Sequence, residues 1–192
     1  MSIIVAVVKD DKTAIASDSA QFYGTRREGA DNLASRPKIR RFHSCLLGNV
    51  GAAIYDILLD DYVARGTGLG GLTNELTILK FFVGFWKFMR DEYHLVNDLE
   101  SGDDESQFAR LDAQFIVVDG RSLFTVDSDL NVMRFQRYCA IGTGAPFAYG
   151  LLYGIYNGTL SAKKIACRAA EAAVHFDESC GGEVQVFEAA AQ

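Results

Sequence analysis

Residues 1–18 read MSIIVAVVKDDKTAIASD, and the reading of this stretch decides the fold. Ile3 to Val8 and Thr13 to Ala16 are apolar runs, and the polar KDDK between them turns at Asp10 and Asp11. The pattern predicts a hairpin of two core strands. No basic residue precedes the first run, which is far shorter than a secretory or membrane-spanning segment, so a cytoplasmic chain with no leader and no membrane partner is expected. The informative residue is then Ser2, directly behind Met1. As a strand-end serine it would be ordinary. As residue one after methionine removal it would carry a hydroxyl beside an α-amine, and such an amine, with a pKa of about 7.7–8.0, can act as a base near neutral pH.

Outward from the hairpin, QFYGTRREGADNLASRP reads as an irregular segment punctuated by Gly24, Gly29 and Pro37, and KIRRFHSCLLGNV as two short strands turning near His43 and Ser44. From Gly51 the period changes: Ile54, Ile57 and Leu58 share a helical face, and TNELTILKFFVGFWKFMRDEYH continues as a second helix capped by Thr73 or Asn74. Strands return in AQFIVVD, in SLFTVDSDLNVMRF with a turn at Asp127 to Asp129, and in YCAIG. Two helices follow, Pro146 to Tyr156 and Ser161 to Phe176, the second with an alanine-rich face, and EVQVFEA closes the chain as a strand. The order is strands, two helices, strands, two helices, strand. It excludes regular βαβ winding and predicts an α+β fold in which two sheets stack and the helix pairs lie outside.

The 192 residues suit a single domain spanning 1–192, with 49% hydrophobic and 23% charged residues, as in ordinary globular proteins. A net charge of −6 argues against a nucleic-acid partner. Cys45, Cys139, Cys167 and Cys180 form no C-x-x-C pair, which argues against a zinc ribbon or disulfide framework, and His43, His94 and His175 show no ligand spacing. No metal and no cofactor are expected. Gly66 to Gly71, GTGLGG, match a dinucleotide fingerprint literally but follow a helix rather than a strand, so they read as a loop. Asp91 to Gln107 is rich in acidic residues and reads as a long solvated loop. Arg36 to Arg41 is a basic run in which Lys38 and Arg40 share one strand face, so that Lys38 can point toward Asp18 at the end of the hairpin. On spacing alone a structural ion pair is the favoured reading of that pair.

Taken together, Ser2, IIVAVVKDDKTAIASD, KIRRF, LLGNVGAA, AIGTGAPFAYG and DESCGG resemble the proteasome β-subunit family, including the bacterial HslV peptidase, along nearly the whole chain. Within that family the sequence is most similar to the HslV-derived betaproteobacterial proteasome homologues. The resemblance implies an N-terminal nucleophile hydrolase: a four-layer αββα sandwich forming a stacked homo-oligomeric double ring around a chamber, with a tetradecamer favoured over a dodecamer. It implies peptides or unfolded proteins as substrates and leaves open an ATP-dependent unfoldase partner.

Carried over residue by residue, the resemblance puts Ser2 at the nucleophile, Asp18 and Lys38 at the charged pair, and Gly48 at the oxyanion position. Thr143, Asp177 and Cys180 stand at positions that support the terminal amine, Phe22 beside the substrate strand, and Leu46 and Val50 on the first specificity pocket, whose apolar walls would prefer an apolar residue. Repeated around a ring, the acidic segment Asp91 to Glu105 could face the pore and attract basic peptides, or lie on the outer wall. Three departures stand out: serine replaces the usual threonine and loses the β-methyl that restricts χ1, Cys180 replaces a serine, and Phe22 replaces a threonine. Two other readings follow from the same residues. A catalytically silent ring subunit or peptide-holding chamber would retain Met1, and a small-molecule amidase would turn over single amides without a ring.

Overall fold

The computed structural model describes residues 2–23, 26–29, 32, 34, 37–42, 44–66, 71–95 and 110–189. In chain order the strands and helices are Ile4–Lys9 (β1), Lys12–Ser17 (β2), Gln21–Tyr23 (β3), Arg26–Glu28 (β4), Ile39–Phe42 (β5), Cys45–Gly51 (β6), Ile54–Ala64 (α1) and Glu75–Phe88 (α2). A π-helical turn, Met89–Tyr93, extends α2. Then come Ala113–Asp119 (β7), Ser122–Val126 (β8), Val132–Phe135 (β9), Tyr138–Ile141 (β10), Ala145–Ile155 (α3), Ala162–Phe176 (α4) and Gln185–Glu188 (β11).

The opening hairpin forms as expected, with Ile4 opposite Ser17 and Lys9 opposite Lys12. Asp10 and Asp11 take φ of 49° and 59°, the left-handed pair that a two-residue hairpin turn requires and that aspartate tolerates. β10 and β11 flank this hairpin in a sheet of order β10-β1-β2-β11, and the second sheet runs β5-β6-β7-β8-β9, all antiparallel.

Period-two alternation along β1 explains the layering. Ile4 and Ala6 face Ile15, Ile39, Leu46 and Ile116 in a core between the sheets, whereas Ile3, Val5 and Val7 face α3 and α4. The alanines of α4, Ala166, Ala169, Ala170 and Ala173, are buried on that side. Across the molecule Leu59, Phe82 and Phe85 of α1 and α2 pack on Phe115 and Phe124 of the other sheet. The result is a four-layer αββα sandwich.

Helix caps follow the sequence. The Asn74 side chain accepts from the Thr77 N–H while Thr77 accepts from the Asn74 N–H, a reciprocal cap, and Ser161 accepts from the Lys164 N–H at 3.4 Å. Three expectations need correction or limitation. α1 turns Leu58, Leu59 and Tyr62 inward and leaves Ile54 and Ile57 exposed, so its buried face lies about one position on from the expected one. The segment read as irregular holds the small hairpin β3-β4, whose three-residue strands are too short to show a period. Residues 96–109 of the acidic segment, 67–70 of the glycine run and Arg36 of the basic run lie outside the described residues, as does Met1.

Candidate active site

Asp18 follows β2 and is fully buried. Its carboxylate is held by backbone from two directions: Oδ1 accepts from the Ile3 N–H at 3.2 Å and Oδ2 from the Gly181 N–H at 3.1 Å. The chain reverses through the Asp18 N–H donating to the Ile3 carbonyl at 3.3 Å, so the carboxylate sits beside the start of β1. Lys38 reaches it from the other sheet. A bend at Lys38, just before β5, carries its ammonium to 2.8 Å from Asp18 Oδ1 and 2.6 Å from the Ser2 hydroxyl. Lys38 is 6% exposed, as is Ser2, so the ammonium, hydroxyl and carboxylate form a chain screened from bulk water.

Gly142, Thr143 and Gly144 brace Ser2 from the β10–α3 connection. The Gly144 N–H donates to the Ser2 carbonyl at 3.4 Å, and the Thr143 hydroxyl lies 3.5 Å from the same oxygen. Gly142 has φ of 100°, and a Cβ on it would collide with the Ser2 carbonyl. Behind Thr143 stands Asp177 at the end of α4. Burial raises its carboxyl, but hydrogen bonds from the Ser179 N–H at 2.9 Å, the Thr143 hydroxyl and the Cys180 thiol outweigh this, and the carboxyl ends below its ordinary range. Burial, with Asp18 and Asp177 nearby, pushes the Cys180 thiol up to about 12, so it stays protonated and donates to Asp177 Oδ2 at 3.5 Å. The geometry therefore brings Ser2, Asp18, Lys38, Thr143, Asp177 and Cys180 together. Of the last three, Thr143 lies against the Ser2 carbonyl, and Asp177 with Cys180 stands behind it.

A small cavity of about 110 Å³ opens beside the Ser2 hydroxyl, lined by Ser2, Gln21, Phe22, Lys38, Asn49 and Val50, and further by Gly51, Ala52, Ala53 and Asp56. Phe22 and Val50 line it. Gly48 and Leu46 do not. Both lie inside β6 on its inward face: a Cβ on Gly48 would meet Ile4 Cδ1 at 3.0 Å, and Leu46 is 1% exposed in the core between the sheets. Alternation also decides the direction of the amides. The Asn49 N–H donates toward β5, to the Lys38 carbonyl at 3.3 Å, and the Ala52 N–H toward the β7 side, to Asp112 at 3.4 Å. Gly48 therefore points its N–H at Ile116 of β7 and offers nothing to the cavity. The Gly51 N–H points the other way, on the side of Lys38 and beyond the start of β5. Gly51 has φ of 139°, and a Cβ there would overlap the Asp112 carbonyl, so the chain at the cavity rim requires glycine.

The cavity wall is also not apolar. Arg40, 8% exposed, crosses from β5 to α1, placing Nη2 at 2.8 Å from Asp56 Oδ1, Nε at 3.0 Å from Asp60 and Nη1 at 3.0 Å from Asn49 Oδ1. Asn49, Gly51 and Asp56 are thus site-lining residues that the sequence reading missed. The pairing of β5 with β6 carried the signal, with His43 of the expected turn outside the described residues. Its register sets Lys38 opposite Asn49 and leaves Gly51 beyond the partner strand.

The αββα sandwich matches the fold of solved proteasome and HslV N-terminal nucleophile hydrolases. Among solved structures the chain is similar to Thiobacillus denitrificans BPH, a bacterial proteasome homologue, with TM-score 0.87, 26% identity, and coverage of 97% of this chain and 96% of that one. It is similar to the same protein in complex with epoxomicin, with TM-score 0.86, 26% identity and 97% of both chains covered. Eukaryotic HslV from Trypanosoma brucei shares the fold at TM-score 0.69 and 23% identity, over 97% of this chain and 98% of that one. No protein-family model and no curated protein matches the sequence.

Proposed function

We propose that this chain is a self-compartmentalising proteasome-like peptidase that cuts peptide bonds through Ser2 after Met1 is removed. The observation that carries the reading is the contact of the Lys38 ammonium with the Ser2 hydroxyl at 2.6 Å and with Asp18 at 2.8 Å. Similarity to a proteasome homologue solved with epoxomicin supports it.

In this mechanism the Ser2 hydroxyl attacks the substrate carbonyl and passes its proton to the neutral α-amine, while the Lys38 ammonium stabilises negative charge developing on Oγ. The carbonyl oxygen becomes an oxyanion, and the Gly51 N–H, rather than that of Gly48, donates to it. Collapse breaks the C–N bond, and the proton on the α-amine leaves with the amine product, which leaves an acyl ester on Ser2. Water then attacks the ester, gives its proton to the α-amine, and the acid product departs with the hydroxyl restored. Thr143, Asp177 and Cys180 are positioning residues that hold the Ser2 backbone, and Phe22 flanks the extended substrate.

Subunits of this kind assemble with themselves, and stacked rings, seven subunits each, belong to the same proposal. Exposed Tyr153, Phe147 and Phe176 on α3 and α4 are apolar surface of the type that assembly covers. A cytoplasmic location fits the four unpaired thiols. Among the described residues no helix is long and apolar enough to cross a membrane.

The test is intact mass before and after treatment with an epoxyketone, a warhead that needs both the hydroxyl and the free amine. Loss of Met1 and one adduct per chain, abolished in Ser2→Ala, is the expected result. Retained Met1 without an adduct would overturn the reading and leave the silent subunit.

A further inference from the structure

Asn49 and Asp56 take no part in the chemistry above, yet both line the cavity beside the Ser2 hydroxyl. Buried Arg40 holds them side by side, with Nη1 at 3.0 Å from Asn49 Oδ1 and Nη2 at 2.8 Å from Asp56 Oδ1. A guanidinium only donates, so the Asn49 atom against it is the carbonyl oxygen, and the amide NH2 is left over. Among the described residues that NH2 donates to nothing, and the second carboxylate oxygen, Asp56 Oδ2, accepts from nothing. Both charged residues on the wall already have partners, Asp56 in Arg40 and Lys38 in Asp18. What the wall offers an entering group is therefore a hydrogen-bond donor next to an acceptor rather than a charge to neutralise.

We propose that this cavity selects an amide side chain, glutamine or asparagine, on the acyl side of the cleaved bond. The guest carbonyl accepts from the Asn49 NH2, and the guest NH2 donates to the Asp56 carboxylate. Asn49 and Asp56 determine the specificity, and Arg40 is the positioning residue that keeps them adjacent. An amide carries an acceptor and a donor on a single carbon, which matches that pair. An apolar side chain would strip water from Asn49 and Asp56 and return nothing. A carboxylate would meet Asp56 as a like charge, and an ammonium would leave the Asn49 NH2 without an acceptor. The inference rests on the reading of Ser2 as nucleophile, and it differs from the apolar preference expected from Leu46 and Val50.

The experiment uses fluorogenic peptides identical except for Asn, Gln, Leu, Met, Glu or Lys before the scissile bond, with kcat/KM measured for the full assembled protein. Leu and Met match Asn and Gln in size without the amide. The better amide should lead all four other residues by about tenfold or more. Asn49→Asp keeps an oxygen against Arg40 and removes the free donor, and Asp56→Asn keeps an oxygen there and removes the free acceptor, so each should erase most of that lead. In parallel, binding of acetylated product peptides ending in the same residues to Ser2→Ala is read by NMR, which needs neither turnover nor a changed pocket, and the amides should bind best. Any other residue cut or bound as well as the better amide overturns the specificity, as does a lead unmoved by both variants at wild-type Tm. Amide-selective binding with no hydrolysis of any peptide keeps the pocket and overturns the nucleophile instead.

Discussion

Lys38 and Arg40 are two residues apart at one strand end, and both are buried cations paired with aspartate, yet they are held in different ways. Lys38 meets a carboxylate already fixed by the N–H groups of Ile3 and Gly181, so its ion pair is clamped by backbone from β1 and from the segment after α4. Arg40 meets two side chains one turn apart on α1, and the Asp60 side chain is 37% exposed. A carboxylate clamped by backbone stays where it is when a substrate arrives and can hold an ammonium against a hydroxyl. The first arrangement suits chemistry, and the second ties β5 to α1.

The sharpest way to break the comparison is to remove each cation. Lys38→Met leaves Asp18 buried and unpaired, and it should cost about 3–5 kcal/mol in chemical denaturation together with all detectable peptide hydrolysis. Arg40→Met should cost less, about 2 kcal/mol, because water reaches Asp60. That variant should keep hydrolysis. Equal loss of activity in both would show that the two clusters do one job.

The glycines of β6 test the same division at the backbone. Gly51→Ala should lower kcat by about 100-fold or more, since it displaces the amide assigned to the oxyanion. Gly48→Ala crowds Ile4 and should cost about 1–3 kcal/mol of stability while leaving kcat within a few-fold of wild type. The reverse pattern would return the oxyanion role to Gly48.

A smaller effect belongs to Asp177. Its carboxyl lies below the ordinary range in the folded chain, so its contribution to stability is complete above the unfolded pKa of about 3.9 and is lost as pH falls through the lowered value. Asp177→Asn should therefore be less stable than wild type at pH 6 and converge with it in acid, as followed by Tm against pH. The smallest expected signal is thiol labelling. Burial raises all three of Cys139, Cys167 and Cys180, Cys139 and Cys180 by large shifts, so iodoacetamide at pH 8 should modify part-exposed Cys167 well before the two buried thiols, as read by peptide mass.

What was legible in the sequence was whatever a local period or a local cap encodes. Alternation marked the opening hairpin, AQFIVVD appeared whole as β7, and Asn74 and Ser161 capped the helices they precede. The order of elements, with the family resemblance, was enough for the αββα layering, and the charged pair at Asp18 and Lys38 could be named because each closes or opens a strand. The β3-β4 hairpin was not legible, since three residues cannot show a period. Nor was the inward face of α1, where Ile54 and Ile57 look like core and stay exposed.

The sequence by itself determined the residue types for the chemistry: a serine behind methionine, one aspartate, one lysine and a glycine-bearing strand. Only the tertiary structure decided which glycine faces the cavity and what the cavity is made of. Both depend on strand register and on α1 bringing Asp56 to Arg40 of β5, contacts between residues distant in the chain. A shift of one residue along β6 exchanges core for cavity and one amide direction for the other, and pairing with β5 and β7 settles that choice.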